Sequence, residues 1–200
     1  MAKDIEITVD RKQIKQVQKL LAAVPRGWPR AASRAVNRTA RRARTWIVRQ
    51  ISSETKLRQT DVRKAIILRR ASYRMLEAHL LISGGRIPLI RLGARQTKKG
   101  VTYRDWRGGG RKLLRGRYFI QTMPSGHRGV FWRKYKRDPE YIKAKKQHGL
   151  PIFEELGPSI QGIYVGAAGL ARRMMAETQK QLHHELDTQV RVLLEKAGRR

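Results

Sequence analysis

The sequence has no cysteine, so disulfides, thiolate metal sites and cysteine nucleophiles are excluded. No run of about 18 apolar residues is present, so we expect no transmembrane helix. The start, "MAKDIEITVD", lacks an apolar signal core, so we expect no Sec-dependent export. Acidic residues are scarce: 15 Asp and Glu stand against 46 Lys and Arg, a net charge of +31. This surplus implies a polyanionic partner: nucleic acid, an acidic protein surface or anionic lipid.

What is present suffices for a folded core. The chain has 200 residues, 40% of them hydrophobic, which argues against disorder throughout. We expect a single α+β domain over residues 1–200. Its expected segments are an N-terminal strand and helices (4–59), a β-meander with a basic Gly-rich loop (66–135), an irregular excursion with a Pro/Gly turn (136–166) and a C-terminal helix (167–197).

In the N-terminal segment, apolar and polar residues first alternate, and apolar residues then recur with the period of a helix. "DIEITV" (4–9) predicts a strand, and Asp10 is placed to cap a following helix. The apolar residues expected on that helix are Ile14, Val17, Leu20, Leu21 and Val24. "PRGWP" then punctuates the chain.

Residues 29–50, "PRAASRAVNRTARRARTWIVRQ", hold seven arginines and no acid. At about 100° per residue, an apolar side gathers Ala32, Val36, Ala40, Ala43, Trp46 and Ile47. Val48 breaks the pattern by falling on the basic side. The basic side predicts a DNA-binding or partner-binding face of Arg30, Arg34, Arg38, Arg41, Arg42 and Arg49. We expect that Glu in place of Arg34, Arg38 and Arg42 spares folding and abolishes function.

The helix is expected to end within 52–59, and "TDVRKAIIL" predicts a short helix capped by Thr60 or Asp61. From about residue 66, short β-branched and aromatic runs between Gly-containing turns predict an antiparallel sheet of about four to six strands. "RGGGRKLLRGR" (107–117) is interpreted as a mobile loop. The predicted basic residues in and beside it are Arg104, Arg107, Arg111, Lys112, Arg115 and Arg117.

The terminal helix is expected from about Ala167 to Ala197. Its predicted apolar stripe is Leu170, Met174, Met175, Leu182, Leu186, Val190, Leu193 and Leu194.

Nothing in the pattern predicts catalysis, a cofactor or a metal. His183 and His184 are adjacent and therefore diverge by about 100° on a helix. "RGGGRK" lacks Walker A spacing, and no nucleophile elbow is present. Glu154, Glu155 and Asp105 show no arrangement typical of paired catalytic carboxylates. An enzyme acting on nucleic acid is disfavoured, because no carboxylate cluster for Mg²⁺ is apparent.

Two further basic stretches are Arg86–Arg117, whose only acid is Asp105, and Arg133–Lys146. The aromatics in or beside them are Tyr103, Trp106, Tyr118, Trp132 and Tyr135, and bases could stack on such side chains. Strand-like context favours a core role instead for Tyr118, Phe119, Phe131 and Trp132. Since no helix-turn-helix, zinc finger or RRM signature appears, any DNA contact would be sequence-independent.

Four stretches in order carry a resemblance: "AASRAVNRTARRARTWIVRQISSETKLRQTDVRKAIILRRAS", "IPLIRLGARQTKKGVTY", "RYFIQTMPSGHRGVFWRK" and "LPIFEELGPSI". Together they resemble the minor tail protein Z family of lambda-type long-tailed phages. More distantly, they are similar to tail-completion and neck proteins. The resemblance covers roughly residues 30–165, and the family's "GPS" turn matches Gly157, Pro158 and Ser159, which we interpret as a tight bend.

The resemblance implies a structural virion protein, made in the host cytoplasm, at the head-proximal end of the tail. It implies a role in head–tail joining and DNA-end positioning, without catalytic residues. The implied partners are a tail terminator, the tail tube or a head connector, with packaged double-stranded DNA as a non-specific contact. A homo-oligomeric ring is expected; a hexamer is considered, but the sequence does not fix the copy number. The alternative is a non-specific nucleic-acid-binding protein of ribosomal or nucleoid type.

Overall fold

The computed structural model describes residues 3–133, 152–166 and 169–198. They fall into two compact units, the first within Met1–Gln50, Gln59–Gly84 and Gln161–Arg200, the second within Ile51–Arg58 and Gly85–Ile160. The expectation of a single domain stays a prediction. The helices are α1 (Arg11–Leu20), α2 (Gly27–Glu54), α3 (Gln59–Lys64), α4 (Ile160–Gly166) and α5 (Leu170–Gly198).

Helix α1 begins after Asp10, as predicted. The Asp10 backbone N–H donates to Gln13 Oε1 at 3.3 Å, which satisfies a donor that the helix leaves without a partner. Helix α1 ends at Leu20, so the prediction that Leu21 and Val24 lie on it is wrong. Val17 and Leu21 are buried, whereas Leu20 is 58% exposed.

Helix α2 begins at Gly27, inside "PRGWP", and ends at Glu54, as expected. Pro29 is accommodated because the first turn of a helix does not need its N–H. More than one apolar stripe of α2 is buried, and Val48, predicted on the basic side, is fully buried. This breadth is typical of a core helix. The buried alanine and aliphatic residues of α2 within the first unit are Ala31, Ala32, Ala35, Val36, Ala40, Ala43, Ile47 and Val48.

The first unit also contains an antiparallel sheet of strands β1 (Lys3–Thr8), β2 (Ile66–Arg69) and β3 (Glu77–Ile82) in the order β1-β3-β2. Ile5 pairs with Leu80 and Ile7 with Ala78, so their side chains share one buried face. The predicted strand at 4–9 is therefore confirmed within one residue.

The second unit is built from strands β4 (Arg86–Pro88), β5 (Arg95–Thr97), β6 (Gly100–Tyr103), β7 (Lys112–Arg115), β8 (Tyr118–Thr122), β9 (Arg128–Arg133), β10 (Ile152–Glu154) and β11 (Leu156–Ser159), with a 3₁₀ turn at Leu89–Leu92. They form antiparallel sheets ordered β5-β6-β7, β10-β9-β8 and β11-β4. The strands predicted over 66–135 are antiparallel, but the single meander expected there is wrong, because they lie in several small sheets.

Two local predictions are wrong. Residues 107–117 were predicted to be a mobile loop, but Lys112–Arg115 is strand β7, which pairs with β6. Thr60 and Asp61 were predicted as caps, but both lie inside α3, which begins at Gln59.

The "GPS" residues form strand β11, with an irregular register against β4, and not a tight bend. Gly157 is required there for space. A Cβ would lie 2.7 Å from Leu92 Cδ1 and 3.1 Å from Leu89 Cδ2. A close approach, and no special φ, therefore explains this glycine.

Helix α5 buries most of the predicted stripe: Leu170, Met174, Leu182, Leu186, Val190 and Leu193. Met175 is 62% and Leu194 42% exposed, so those two predictions are wrong. The predicted helix start at Ala167, Tyr135 and residues 136–151 of the predicted excursion (136–166) lie outside the described residues. The rest of that segment is not irregular, since it forms β10, β11 and α4.

The predicted α+β class, with antiparallel sheets and a long helix towards each end, is confirmed. Among the helices of the described ranges, none has both the length and the apolarity needed to span a bilayer.

Candidate functional site

All six arginines predicted on the basic face of α2 are exposed: Arg30, Arg34, Arg38, Arg41, Arg42 and Arg49. They follow from the helical period, since the residues between them form the buried side. Arg30, Arg34 and Arg49 make no side-chain hydrogen bond or ion pair with the described residues. Arg41 Nε donates only to the Asn37 carbonyl one turn back, at 3.3 Å. These guanidinium groups are therefore directed to solvent.

Arg38 and Arg42 are engaged by α5. Arg42 Nη1 lies 2.9 Å from Glu185 Oε1 and donates to Gln181 Oε1 at 2.7 Å. Arg38 Nη1 lies 3.5 Å from Glu185 Oε2. The Glu185 side chain is only 3% exposed. Because a buried carboxylate is costly without a cation, Glu at positions 38 and 42 should impair folding, contrary to the expectation from the sequence.

Glu185 and Gln181 were missed by the sequence prediction. The available signal was a polar residue inside an apolar stripe, since Glu185 lies between Leu182 and Leu186 on α5. Such a residue in a long helix often has a charged partner on a neighbouring element.

Helices α2 and α5 border a groove of about 470 Å³. From α2 it is lined by Thr39, Arg41, Arg42, Ala43, Thr45, Trp46 and Arg49, and from α5 by Met174, Glu177, Thr178 and Gln181. Ala43, Trp46 and Met174 supply apolar surface, while Arg41 and Arg49 add positive charge. The Thr39 hydroxyl is buried and has no hydrogen-bond partner among the described residues.

Asn37 and Arg44 lie on α2 and bind backbone of the first unit. The Asn37 side-chain amide donates to the Ala71 carbonyl and accepts from the Ala71 N–H, both at 2.9 Å. Arg44 Nη2 donates to the Arg63 carbonyl at 2.9 Å. Burial, with a smaller effect from the nearby Arg63 charge, lowers the pKa of Arg44. These side chains therefore stabilise the first unit and do not contribute to the basic face of α2.

Three of the six basic residues predicted around 107–117 bind carbonyl oxygens of the second unit. Arg111 Nη2 donates to the carbonyls of Gly93 at 2.9 Å and Thr102 at 2.8 Å. Arg107 Nε donates to the Thr55 carbonyl at 2.6 Å. Arg104 Nη1 donates to the Arg107 carbonyl at 3.2 Å. Burial, followed by the charges of Arg95 and Arg104, lowers the pKa of Arg111.

The remaining three members of this set differ. Lys112 Nζ pairs with Asp105 Oδ2, and this hydrogen bond, ahead of the Asp105 charge, raises the pKa of Lys112. The Arg117 guanidinium lies 4.5 Å from the Trp132 ring centre. Arg115 is exposed and makes no side-chain contact of this kind with the described residues.

The aromatic residues are partly core and partly surface. Phe131 is buried, as predicted, while Tyr118, Phe119 and Trp132 are half-buried. Trp132 stacks on Phe153 at 5.1 Å, with Arg117 over the Trp132 ring. Of the stretch Arg133–Lys146, only Arg133 lies within the described residues, and its guanidinium is 5.4 Å from the Phe119 ring.

Two of the three carboxylates considered for catalysis have different side-chain partners. Asp105 pairs with Lys112, and Glu154 Oε1 lies 3.0 Å from His127 Nε2. In the part of the chain that the structure describes, no three His, Asp or Glu side chains gather as metal ligands would. His183 and His184 are both exposed on α5.

Comparison with known proteins gives a consistent result. The family model for prophage minor tail protein Z matches residues 11–196. A tail completion protein of Escherichia phage N15 is 30% identical over 118 residues, which cover 56% of this chain and 63% of that relative. The match therefore spans less than two thirds of that relative's length. No solved structure matches the chain.

Proposed function

The chain belongs to the prophage minor tail protein Z family, and from this premise we propose that it completes the phage tail at its head-proximal end. There it supports productive head–tail joining and positions the DNA end. The role is structural and not catalytic. The observation that carries the proposal is the extent of the family match, which runs over residues 11–196 and includes both long helices.

The proposed partners are the neighbouring proteins of the tail and neck: a tail terminator, the tail tube or a head connector. The solvent-directed arginines of α2 support this idea, because they need an anionic counterpart. Arg30, Arg34 and Arg49 have no side-chain partner among the described residues, and the net charge is +31. Acidic surfaces of neighbouring rings would neutralise this face and make assembly depend on their presence.

We propose that the chain acts as a homo-oligomeric ring, with a hexamer as the size to test first. Charges of neighbouring copies add in a ring, so a ring of so basic a chain is stable only with its anionic partner. Stable rings of the purified protein at low salt, with no partner present, would contradict this dependence.

The first experiment is quantitative immunoblotting of virions, isolated tails and isolated heads of the phage that encodes the chain. We expect a few copies per tail, about one ring, and none in heads. A major tube protein of the same phage calibrates the copy number. Absence of the chain from both virions and tails would overturn the proposed function.

A second candidate is non-specific nucleic-acid binding, which the exposed arginines of α2 favour. Such a protein would bind duplex DNA with a slope of log affinity against log salt of about −0.9 for each neutralised phosphate. Filter binding across salt concentrations measures this slope. Tight, steeply salt-dependent binding, with the chain absent from virions, would establish the alternative.

A further inference from the structure

The groove between α2 and α5 has a combination of features that a general basic face does not need. We propose that it binds a segment of an acidic partner protein, with an apolar side chain in the groove and flanking carboxylates on the arginines. This inference rests on the proposed function, since it assigns a chemistry to one of the partners. It concerns only the first unit, which contains every residue of the groove.

Apolar side chains of both helices line the groove. Ala43 and Met174 are buried, Trp46 is half-buried, and all three line the groove. Its volume of about 470 Å³ exceeds what a single water needs and lies within the range of binding pockets. An inserted leucine or aromatic side chain would cover the half-buried Trp46 ring and remove its apolar surface from water.

Arg41 and Arg49 supply the positive charge of the groove that is unpaired among the described residues. Both are exposed, line the groove and have no carboxylate partner among the described residues. They are eight residues apart, so their Cα atoms are separated by about 12 Å along α2. Arg42 lies between them but is already bound to Glu185 and Gln181. Two partner carboxylates about two helical turns apart would therefore match Arg41 and Arg49.

The groove also contains polar groups that suit a polypeptide. The Thr39 hydroxyl is buried and unpartnered among the described residues, and a peptide carbonyl could accept its hydrogen bond. Glu177 lines the opposite side and binds the Gln181 amide at 3.1 Å. Its carboxylate would repel any anionic group placed beside it but can accept a hydrogen bond from a peptide N–H.

These features select the partner among three classes. A second copy of the chain is disfavoured at this groove, because a chain with 15 acidic against 46 basic residues brings few carboxylates to Arg41 and Arg49. Nucleic acid is disfavoured by Glu177, because a phosphate chain carries a charge at every nucleotide, whereas a peptide can place uncharged residues beside Glu177. An acidic segment with an exposed apolar residue satisfies both the charge and the surface.

The test uses the full-length protein and a synthetic helical peptide of about 15 residues, or four turns, with leucines on one face and glutamates elsewhere. Fluorescence anisotropy at about 0.15 M salt measures its affinity, with surface attraction largely screened. A second peptide replaces every leucine with serine at unchanged charge. The groove variant is Arg41→Gln with Arg49→Gln. The control, Arg30→Gln with Arg34→Gln, removes the same charge elsewhere on α2.

We expect the groove variant to weaken binding of the leucine peptide by about tenfold or more, and the control by less than about threefold. The serine peptide should bind at least about tenfold more weakly than the leucine peptide. Equal losses in the two variants, or equal affinity of the two peptides, would mean diffuse attraction and overturn the inference. A single-stranded oligonucleotide that binds more tightly than the leucine peptide, and only with Arg41 and Arg49 intact, would also overturn it.

Virion composition separates this inference from the proposed function. If the peptide results are as expected but the chain is absent from virions and tails, the proposed function fails and the groove binds another acidic protein. If the chain is present in tails but the groove variant binds the leucine peptide normally, only the groove assignment fails.

Discussion

Helix α2 and the segment Arg104–Arg117 are both rich in arginine, but their guanidinium groups face different neighbours. On α2, Arg30, Arg34 and Arg49 are directed to solvent without a side-chain partner among the described residues. In the second segment, Arg107 and Arg111 donate to backbone carbonyls of their own unit. Net charge therefore locates neither a binding face nor a structural contact by itself.

The difference follows from the backbone. In a helix, interior carbonyls accept from the N–H four residues later, so an arginine on the surface finds few free acceptors nearby. Turns and strand ends leave carbonyls such as those of Gly93 and Thr55 without such a partner. The guanidinium group, with five donors in a planar fork, is well suited to them. Arginines near irregular backbone are therefore bound by carbonyl oxygens, whereas arginines on a helix surface remain exposed to solvent.

The largest expected loss of stability is at Arg42, which, unlike Arg30, Arg34 and Arg49, binds a buried carboxylate among the described residues. Arg42→Glu should destabilise the protein by roughly 2–4 kcal/mol, because it removes a cation from the buried Glu185 and adds a like charge. Chemical denaturation measures the free energy of unfolding. Arg34→Glu makes the same charge change on the same helix and should cost no more than about 0.5 kcal/mol. Equal losses would show that Glu185 is not the cause.

The next effect tests the structural role of the second segment. Arg111→Ala should destabilise the second unit by about 1.5–3 kcal/mol, because it removes charged hydrogen bonds to Gly93 and Thr102. Arg115→Ala, four residues away at the end of β7, is the matched control and should be nearly neutral. Hydrogen exchange of β6 and β7 amides measures the local loss. If both variants exchange like the wild type, the two basic segments do not differ as described.

A smaller effect concerns pH. The hydrogen bond and charge of Asp105 raise the pKa of Lys112 in the folded protein. The pair's contribution should therefore be complete below the ordinary lysine pKa of about 10.4 and be lost as pH rises through the higher folded value. Its size is limited by solvent screening, since the Lys112 side chain is 62% exposed. The stability difference between wild type and Lys112→Met should shrink above that pH; a constant difference would contradict the pairing.

The smallest effect on stability is expected at the exposed arginines. Arg30→Gln with Arg34→Gln should change the free energy of unfolding by less than about 0.5 kcal/mol. The same double variant should make the salt slope of duplex DNA binding less steep by up to about 2, if both residues contact phosphates. Filter binding and denaturation of the same protein check both parts. An unchanged slope would direct attention to protein partners.

Much of the fold follows from local pattern. The strand at 4–9, the Asp10 cap and the burial of Ala32, Ala40 and Ala43 on α2 follow from residue period and capping chemistry alone. Strand β7 was missed because the glycines and basic residues around it outweigh its short "KLLR" core. The role of Gly157 was also missed, because the contact that requires a glycine involves Leu92, far away in sequence.

The sequence by itself determined the charge, the absence of cysteine chemistry and the side of α2 on which the arginines lie, because these depend only on composition and on a fixed period. The tertiary structure decided which arginines are available. Arg42 reaches Gln181 across 139 residues and Arg107 reaches Thr55 across 52. Pairings over such distances depend on which backbone and side-chain acceptors folding brings near each guanidinium group, and no local pattern specifies that.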